Sequence, residues 1–332
     1  MPLDESNDIH VGLTGPVRSG KTNLFVDFAK CVELNFHGFQ QLHNIEIETD
    51  RANRRLLRSY YRNLPDATES VTDIRFNLNI SLPEANGTEP GAPLEDRQFT
   101  IHVRDAPGEA AFPEEDLTGR TNPHASKLKE LDEWFSKAKG IVLVISALNA
   151  GTDAGFEALI EKVEDFFERA GKPEFQNLER VAIAISMFDL LLLRFGNRSR
   201  DIATEPEAVL AILHAHLRPA FDIIKDFRPF PSQERDIDLR FIATSSYGFH
   251  PQLGCPNIDT KAETLDPANS RFPVPLTPDN VRYPYMTADP FIFAALGLDS
   301  PFLFTRDEIL SGIMRDKAAH PRQQALPGNL SP

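Results

Sequence analysis

GPVRSGKT, residues 15–22, lies between two stretches of different character. Before it, residues 9–14 (IHVGLT) are short, apolar and partly β-branched, the composition of a buried strand. After it, residues 23–34 (NLFVDFAKCVEL) place Leu24, Phe25, Phe28, Cys31 and Val32 at helical spacing. A strand, a glycine-bearing loop and a helix are the context in which the pattern G-x-x-x-x-G-K-[ST] builds a phosphate cradle. Gly15 and Gly20 let the backbone turn tightly around an anion, which the loop N–H groups and the positive helix N-terminus then face. The expected binding stretch runs through Gly15, Pro16, Val17, Arg18, Ser19, Gly20, Lys21 and Thr22 to Asn23. In it Lys21 reaches the β- and γ-phosphates and the Thr22 hydroxyl binds Mg²⁺. A glycine-rich turn with an incidental lysine is the bland alternative, and the flanking strand and helix argue against it.

The chain has 332 residues, 41% of them hydrophobic, enough for one large domain or two small ones with a substantial core. The longest strongly apolar run, residues 140–148, is too short to span a bilayer, and the acidic start MPLDESNDIH has no signal-peptide character. Only two cysteines occur, so a disulfide framework is excluded and a reducing cytoplasmic location is expected. The formal net charge of -14 argues against a general nucleic-acid or anionic-membrane surface. Residues 51–62 (RANRRLLRSYYR) run against that trend. Leu56, Leu57, Tyr60 and Tyr61 fit one face of a helix, favouring a solvated basic helix face over a phosphate-binding patch.

Downstream, Ile74, Phe76, Leu78, Ile80 and Leu82 alternate with polar residues, and residues 99–103 (FTIHV) alternate again. The two stretches predict strands paired antiparallel across the turn-rich loop 83–93. Residues 104–109 (RDAPGE) then place a carboxylate at a strand end with a glycine close behind, as the far side of a Mg-nucleotide site requires. A helix is expected over 125–139 and another over 154–170, the second burying Phe156, Leu159, Ile160, Val163, Phe166 and Phe167. The runs 141–147 (IVLVISA), 181–185 (VAIAI) and 239–243 (LRFIA) predict buried strands, and 205–225 predicts a helix. Residues 248–280 read as a long surface loop, 290–296 and 307–317 as closing helices, and 318–332 as a tail.

Buried strands alternating with helices define an α/β layered sheet, mostly parallel, with one antiparallel edge hairpin. In such a sheet the octet, Asp105, Asp189 and Ser245 all follow strands and gather at one edge.

These four elements, in this order, resemble the nucleotide-binding motifs of Ras-like (TRAFAC-class) P-loop GTPases over most of residues 9–246. The resemblance implies a three-layer P-loop NTPase sandwich: one enlarged domain over 1–312, with insertions at about 35–66, 110–125, 190–238 and 248–286 and a disordered tail over 313–332. RDAPGE is similar to D-x-x-G, which makes Asp105 a Mg²⁺ ligand through water and Gly108 a contact of the γ-phosphate. SMFD (186–189) stands in the place of N-K-x-D, so that Asp189 accepts from guanine N1 and N2. ATSS (243–246) stands in the place of S-A-x, where a backbone N–H near Ser245 donates to guanine O6. A carboxylate opposite those two donors rejects adenine, which presents the reverse pattern.

Departures from the family pattern leave alternatives open. Ser186 and Met187 replace Asn and Lys, so ATP stands beside GTP as an alternative, although Met can pack on a purine face. Glu109 occupies the position of the water-orienting Gln, either orienting water or serving only as a switch-loop carboxylate. Arg18 either supplies a built-in charge on the transferring phosphoryl group or pairs with a surface carboxylate. The switch threonine that closes on Mg²⁺ is Thr68, with Thr72 as the alternate. The large insertions resemble bacterial double-GTPase proteins of conflict and defence loci and, more distantly, YcjX-like stress proteins. A guanine-nucleotide switch with Mg²⁺ and GTP/GDP follows, acting on an effector protein through slow hydrolysis and a nucleotide-dependent dimer. An ATPase or other phosphoryl transferase and a non-hydrolysing nucleotide-binding scaffold are the competing readings.

Overall fold

The computed structural model describes residues 8–16, 19–34, 38–41, 45–51, 53–55, 57, 72–83, 94–105, 133–150, 153–170, 177–227, 237–259, 276–277 and 281–315. Eight strands form one sheet: β1 (Asp8–Thr14), β2 (Ile45–Thr49), β3 (Thr72–Pro83), β4 (Leu94–Asp105), β5 (Gly140–Ser146), β6 (Arg180–Ser186), β7 (Asp238–Ala243) and β8 (Phe304–Thr305). Their order is β2-β3-β4-β1-β5-β6-β7-β8. From β4 to β7 every neighbouring pair is parallel, so these strands direct their carboxyl ends to one edge. β1 stands in the middle, with β4 on one side and β5 on the other. A crevice outside the carboxyl end of such a strand is where α/β sheets hold ligands.

The burial follows the sequence pattern. All of β5 (GIVLVIS) is buried, as are the last six residues of β6 (RVAIAIS), which fits strands covered on both faces. β3 instead buries Ile74, Phe76, Leu78 and Ile80 while Arg75 is exposed, the alternation of a half-covered strand. It pairs antiparallel with β4 from Thr72↔Asp105 to Pro83↔Leu94, which is the expected hairpin.

The helix α1 (Lys21–Glu33) lays Leu24, Phe25, Phe28, Cys31 and Val32 into the core. The Phe28 ring stands 4.8 Å from Phe76 of β3 and 5.1 Å from Phe291 of the closing helix Asp289–Leu296. On β4, Ile101 lies across from Phe76, and the next residue, His102, stacks with His10 beside Trp134. Successive strand residues point to opposite faces, so α1 and Trp134 cover opposite sides of the sheet. The result is an α/β sandwich of three layers, mostly parallel, of the P-loop NTPase type.

Some elements depart from the expectations. β2 pairs antiparallel with the outer side of β3, inside the stretch of about 35–66 expected as an insertion. Its five residues, IEIET, give too short an alternation to stand out, and only Ile45 among them is fully buried. β8 adds an antiparallel partner for β7 at the other edge. The last helix spans Arg306–Ser311 and stops before 317, because Gly312 turns left-handed and returns its N–H to Glu308 O. Of the expected basic helix, Arg51, Asn53 to Arg55 and Leu57 are described, and they are helical. The helix Asp153–Ala170 buries Phe156, Leu159, Ile160 and Val163. The side chains of Phe166 and Phe167 lie outside the described residues. Among the described residues, no helix is long and apolar enough to cross a membrane.

Candidate functional site

The loop after β1 is built by its own sequence. Gly15 has φ 148°, and a Cβ on it would stand 2.4 Å from Val144 O of β5 and 3.0 Å from the Ser19 hydroxyl. Ser19 N–H donates to Pro16 O at 3.2 Å, and Gly20 enters α1 in the left-handed conformation. Gly20, the N-cap residue, has no side chain to accept from the N–H groups at this helix start. Lys21 is 6% exposed and folds back over the loop, donating from Nζ to Gly15 O at 2.7 Å and Pro16 O at 2.8 Å. The Ser19 hydroxyl is buried there without a partner. A helix start with glycine at its N-cap, a retracted ammonium and, among the described residues, an unpartnered hydroxyl together form a donor-rich concavity whose chemistry fits a polyanion.

The end of β6 adjoins this loop. The Ser186 hydroxyl donates to Ser19 O at 2.6 Å and lies 3.3 Å from Ile145 O. A side-chain tie between the two loops is therefore present without an asparagine. Met187 follows at φ 59°, and its Sδ accepts from the Ser146 hydroxyl at 3.5 Å. The only other non-glycine residue with positive φ among those described is Met286. Sparsely populated backbone of this kind clusters at functional sites.

Asp189 lies in the first turn of the short helix Phe188–Leu192, with 1% of its surface exposed. Burial pushes its carboxyl up to about 7, against hydrogen bonds from the Ser245 side chain and from the N–H groups of Asp189 and Leu190. Its Oδ2 is buried with no partner. Ser245, just beyond β7, supports Asp189, and its Oγ also accepts from Gly248 N–H at 2.8 Å. The Ser245 N–H, expected near a ligand's acceptor, is instead engaged with Tyr285 O at 3.0 Å.

On the other side of β1, Asp105 ends β4 in register with Leu13, and Thr72 pairs across from it as the first residue of β3. The octet, Asp105, Thr72, Asp189 and Ser245 therefore share the carboxyl edge of the sheet. Thr22 and Asn23 sit in the first turn of α1. Val17, Arg18, Thr68, Gly108 and Glu109 lie outside the described residues, as do the side chains of Thr72 and Asp105.

Two charged residues that the sequence reading passed over complete the surroundings. Asp27, fully buried on α1, has its carboxyl raised by burial to about 6 despite the nearby Arg282 guanidinium. Arg282 is 3% exposed, donates from Nη1 to Asn23 Oδ1 at 2.7 Å and holds Nη2 3.2 Å from Asp27 Oδ1. An acid on the apolar face of α1 was the available signal, since a buried carboxylate calls for a cation.

The sheet order and the loop after β1 define the class, a P-loop α/β sandwich. No protein-family profile matches the chain, and no curated protein matches it. Among solved structures, the chain is similar to the crystal structure of the bacterial selenocysteine-specific elongation factor EF-Sec. The likeness covers 71% of this chain at 13% identity with a TM-score of 0.29, and it spans 25% of that protein.

Proposed function

We propose that this chain binds a guanine nucleotide with Mg²⁺ at the carboxyl edge of its sheet and hydrolyses GTP slowly, as a Ras-like conformational switch. The observation that carries the reading is the unpartnered Oδ2 of Asp189. An open acceptor on a buried carboxylate is costly unless ligand donors fill it. Guanine offers two adjacent N–H donors, whereas adenine at the same edge offers an acceptor beside a hydrogen. The phosphates would sit at the glycine-led start of α1, with Lys21 released from its two loop carbonyls to meet them. Thr22, Asp105 and a switch threonine would hold the metal, which when bound supplies charge neutralisation at the phosphates. Thr72 pairs its backbone with Asp105, which supports it as a candidate for that threonine, while Thr68 lies outside the described residues. With the Ser245 N–H engaged, the donor to O6 becomes Ser246. A partner protein that reads the nucleotide state, in a bacterial conflict or stress setting, completes the proposal.

Calorimetric titration tests it. GDP with Mg²⁺ is expected to bind at least about 100-fold more tightly than ADP, as befits a site built on paired donors and acceptors. Equal affinities overturn the guanine assignment. Phosphate release from GTP by the wild-type chain should exceed that of Lys21→Ala; no difference refutes turnover and leaves a binding scaffold.

Asp189 also sets a pH dependence. Its folded-state carboxyl titrates near 7 without nucleotide, and accepting from guanine requires the ionised form. Affinity for GDP should fall about tenfold per pH unit below that value and level off above it. Nucleotide binding at pH 6 should release a proton, so the binding enthalpy should vary with the ionisation enthalpy of the buffer. A flat affinity profile from pH 5.5 to 8 would falsify this assignment.

A further inference from the structure

The proposed site has two halves built on different elements. The phosphate half is the loop after β1 with the first turn of α1, and the base half is the ends of β6 and β7. One segment, residues 281–288, is bonded to both. Toward the base half, Tyr285 exchanges two backbone hydrogen bonds with Ser245, at 2.7 and 3.0 Å, and Tyr283 N–H donates to Tyr247 O at 3.1 Å. Toward the phosphate half, Thr287 Oγ1 donates to Asp27 O at 3.1 Å, and Arg282 engages Asn23 and Asp27. Asn23 and Asp27 are four residues apart on α1, so the planar guanidinium spans one turn of the helix that Lys21 opens.

We propose that Arg282 is a positioning residue that sets the phosphate half against the base half, so that one nucleoside diphosphate can engage both at once. The inference rests on the nucleotide reading above. An apolar pair would hold α1 to this segment about as well, since a buried ion pair is a weak source of stability. What the fork adds is a single geometry, because Nη1, hydrogen-bonded to Asn23, and Nη2, in ion-pair contact with Asp27, lie at a fixed spacing in one plane. The segment it belongs to is itself held in an unfavourable conformation, with Met286 at φ 53° next to Tyr285. Such a conformation persists only where its surroundings over-determine it.

A ligand that bridges both halves gains from their alignment, whereas one that occupies a single half does not. The discriminating variant is therefore Asp27→Leu/Arg282→Met, which replaces the ion pair by apolar side chains. Affinities for Mg·GDP and Mg·pyrophosphate are measured by calorimetry on the full chain, with melting temperature as the control for folding. GDP binding should weaken by about tenfold or more while pyrophosphate binding changes by less than about twofold. A purely structural pair would leave both unchanged or weaken both equally, and either result overturns the proposal. Should the double variant not fold, Arg282→Lys keeps the charge and loses the fork. It is expected to weaken GDP several-fold with pyrophosphate unaffected, and wild-type GDP affinity in it overturns the proposal. Wild-type protein that binds GDP and ADP alike removes the guanine assignment alone, and the same comparison then runs with ADP. Wild-type protein that binds neither diphosphate removes both readings.

Discussion

Asp189→Asn is expected to weaken GDP binding by about 10²- to 10³-fold and to make the protein prefer a xanthosine nucleotide, by the donor–acceptor arithmetic of a buried site. The wild-type carboxylate offers acceptors only, and guanine N1–H and N2–H₂ are both donors. An amide pairs one acceptor with one donor, so the amide N–H₂ then meets a guanine donor in a site 1% exposed to water. Xanthine carries a carbonyl where guanine carries N2–H₂, and the alternation is restored. The same substitution should raise the stability of the nucleotide-free protein at pH 8. The Asp189 carboxyl has its folded pKa raised from 3.8 to about 7 by burial. Its contribution to stability is therefore full below pH 3.8 and is lost as pH rises through about 7. Asparagine keeps the shape without the titration, so denaturant melts of the variant should lose less stability between pH 5 and 8. Gained stability with lost affinity separates a ligand-facing carboxylate from a structural one, since removing a structural one would lower stability. A variant that binds GDP normally would refute the role.

Much of this edge was legible in the sequence because the local signals were strong. The octet sits between a strand and a helix, and β5 and β6 are continuous apolar runs, so the cradle and the buried strands follow from spacing and composition. The hairpin of β3 and β4 follows from alternation at Ile74 to Leu82 and at Phe99 to Val103. What was not legible depends on partners distant in the chain. IEIET becomes a strand because β3 offers it an unpaired edge, and nothing within those five residues compels pairing. Ser186 looked like the loss of a loop-tying amide, yet its hydroxyl reaches Ser19 O because Gly20 brings the octet close to β6. Arg282 meets Asp27 across most of the chain, and only the fold sets them 3.2 Å apart. An acid among Leu24, Phe28 and Cys31 announced that a cation was needed without naming it.

The two glycines of the octet should respond to alanine very differently, and the contrast tests how the cradle is built. Gly15→Ala is expected to destabilise the protein by about 3 kcal/mol or more and to weaken pyrophosphate binding at least about 100-fold. The added Cβ would meet a backbone carbonyl of β5, Val144 O, at 2.4 Å, and a central strand covered on both faces cannot retreat. The loop itself would have to move, carrying with it the backbone groups that line the cradle. Gly20→Ala meets nothing closer than the Ser186 hydroxyl at 3.5 Å, an ordinary contact. Its cost is the left-handed φ of 88° alone, about 1–2 kcal/mol, with the cradle left in place. Pyrophosphate affinity in Gly20→Ala should therefore stay within about tenfold of wild type once the protein is folded. Denaturant melts and pyrophosphate titrations of both variants read the two effects separately. If Gly20→Ala abolished binding while Gly15→Ala preserved it, the phosphate half would be organised around the start of α1 alone.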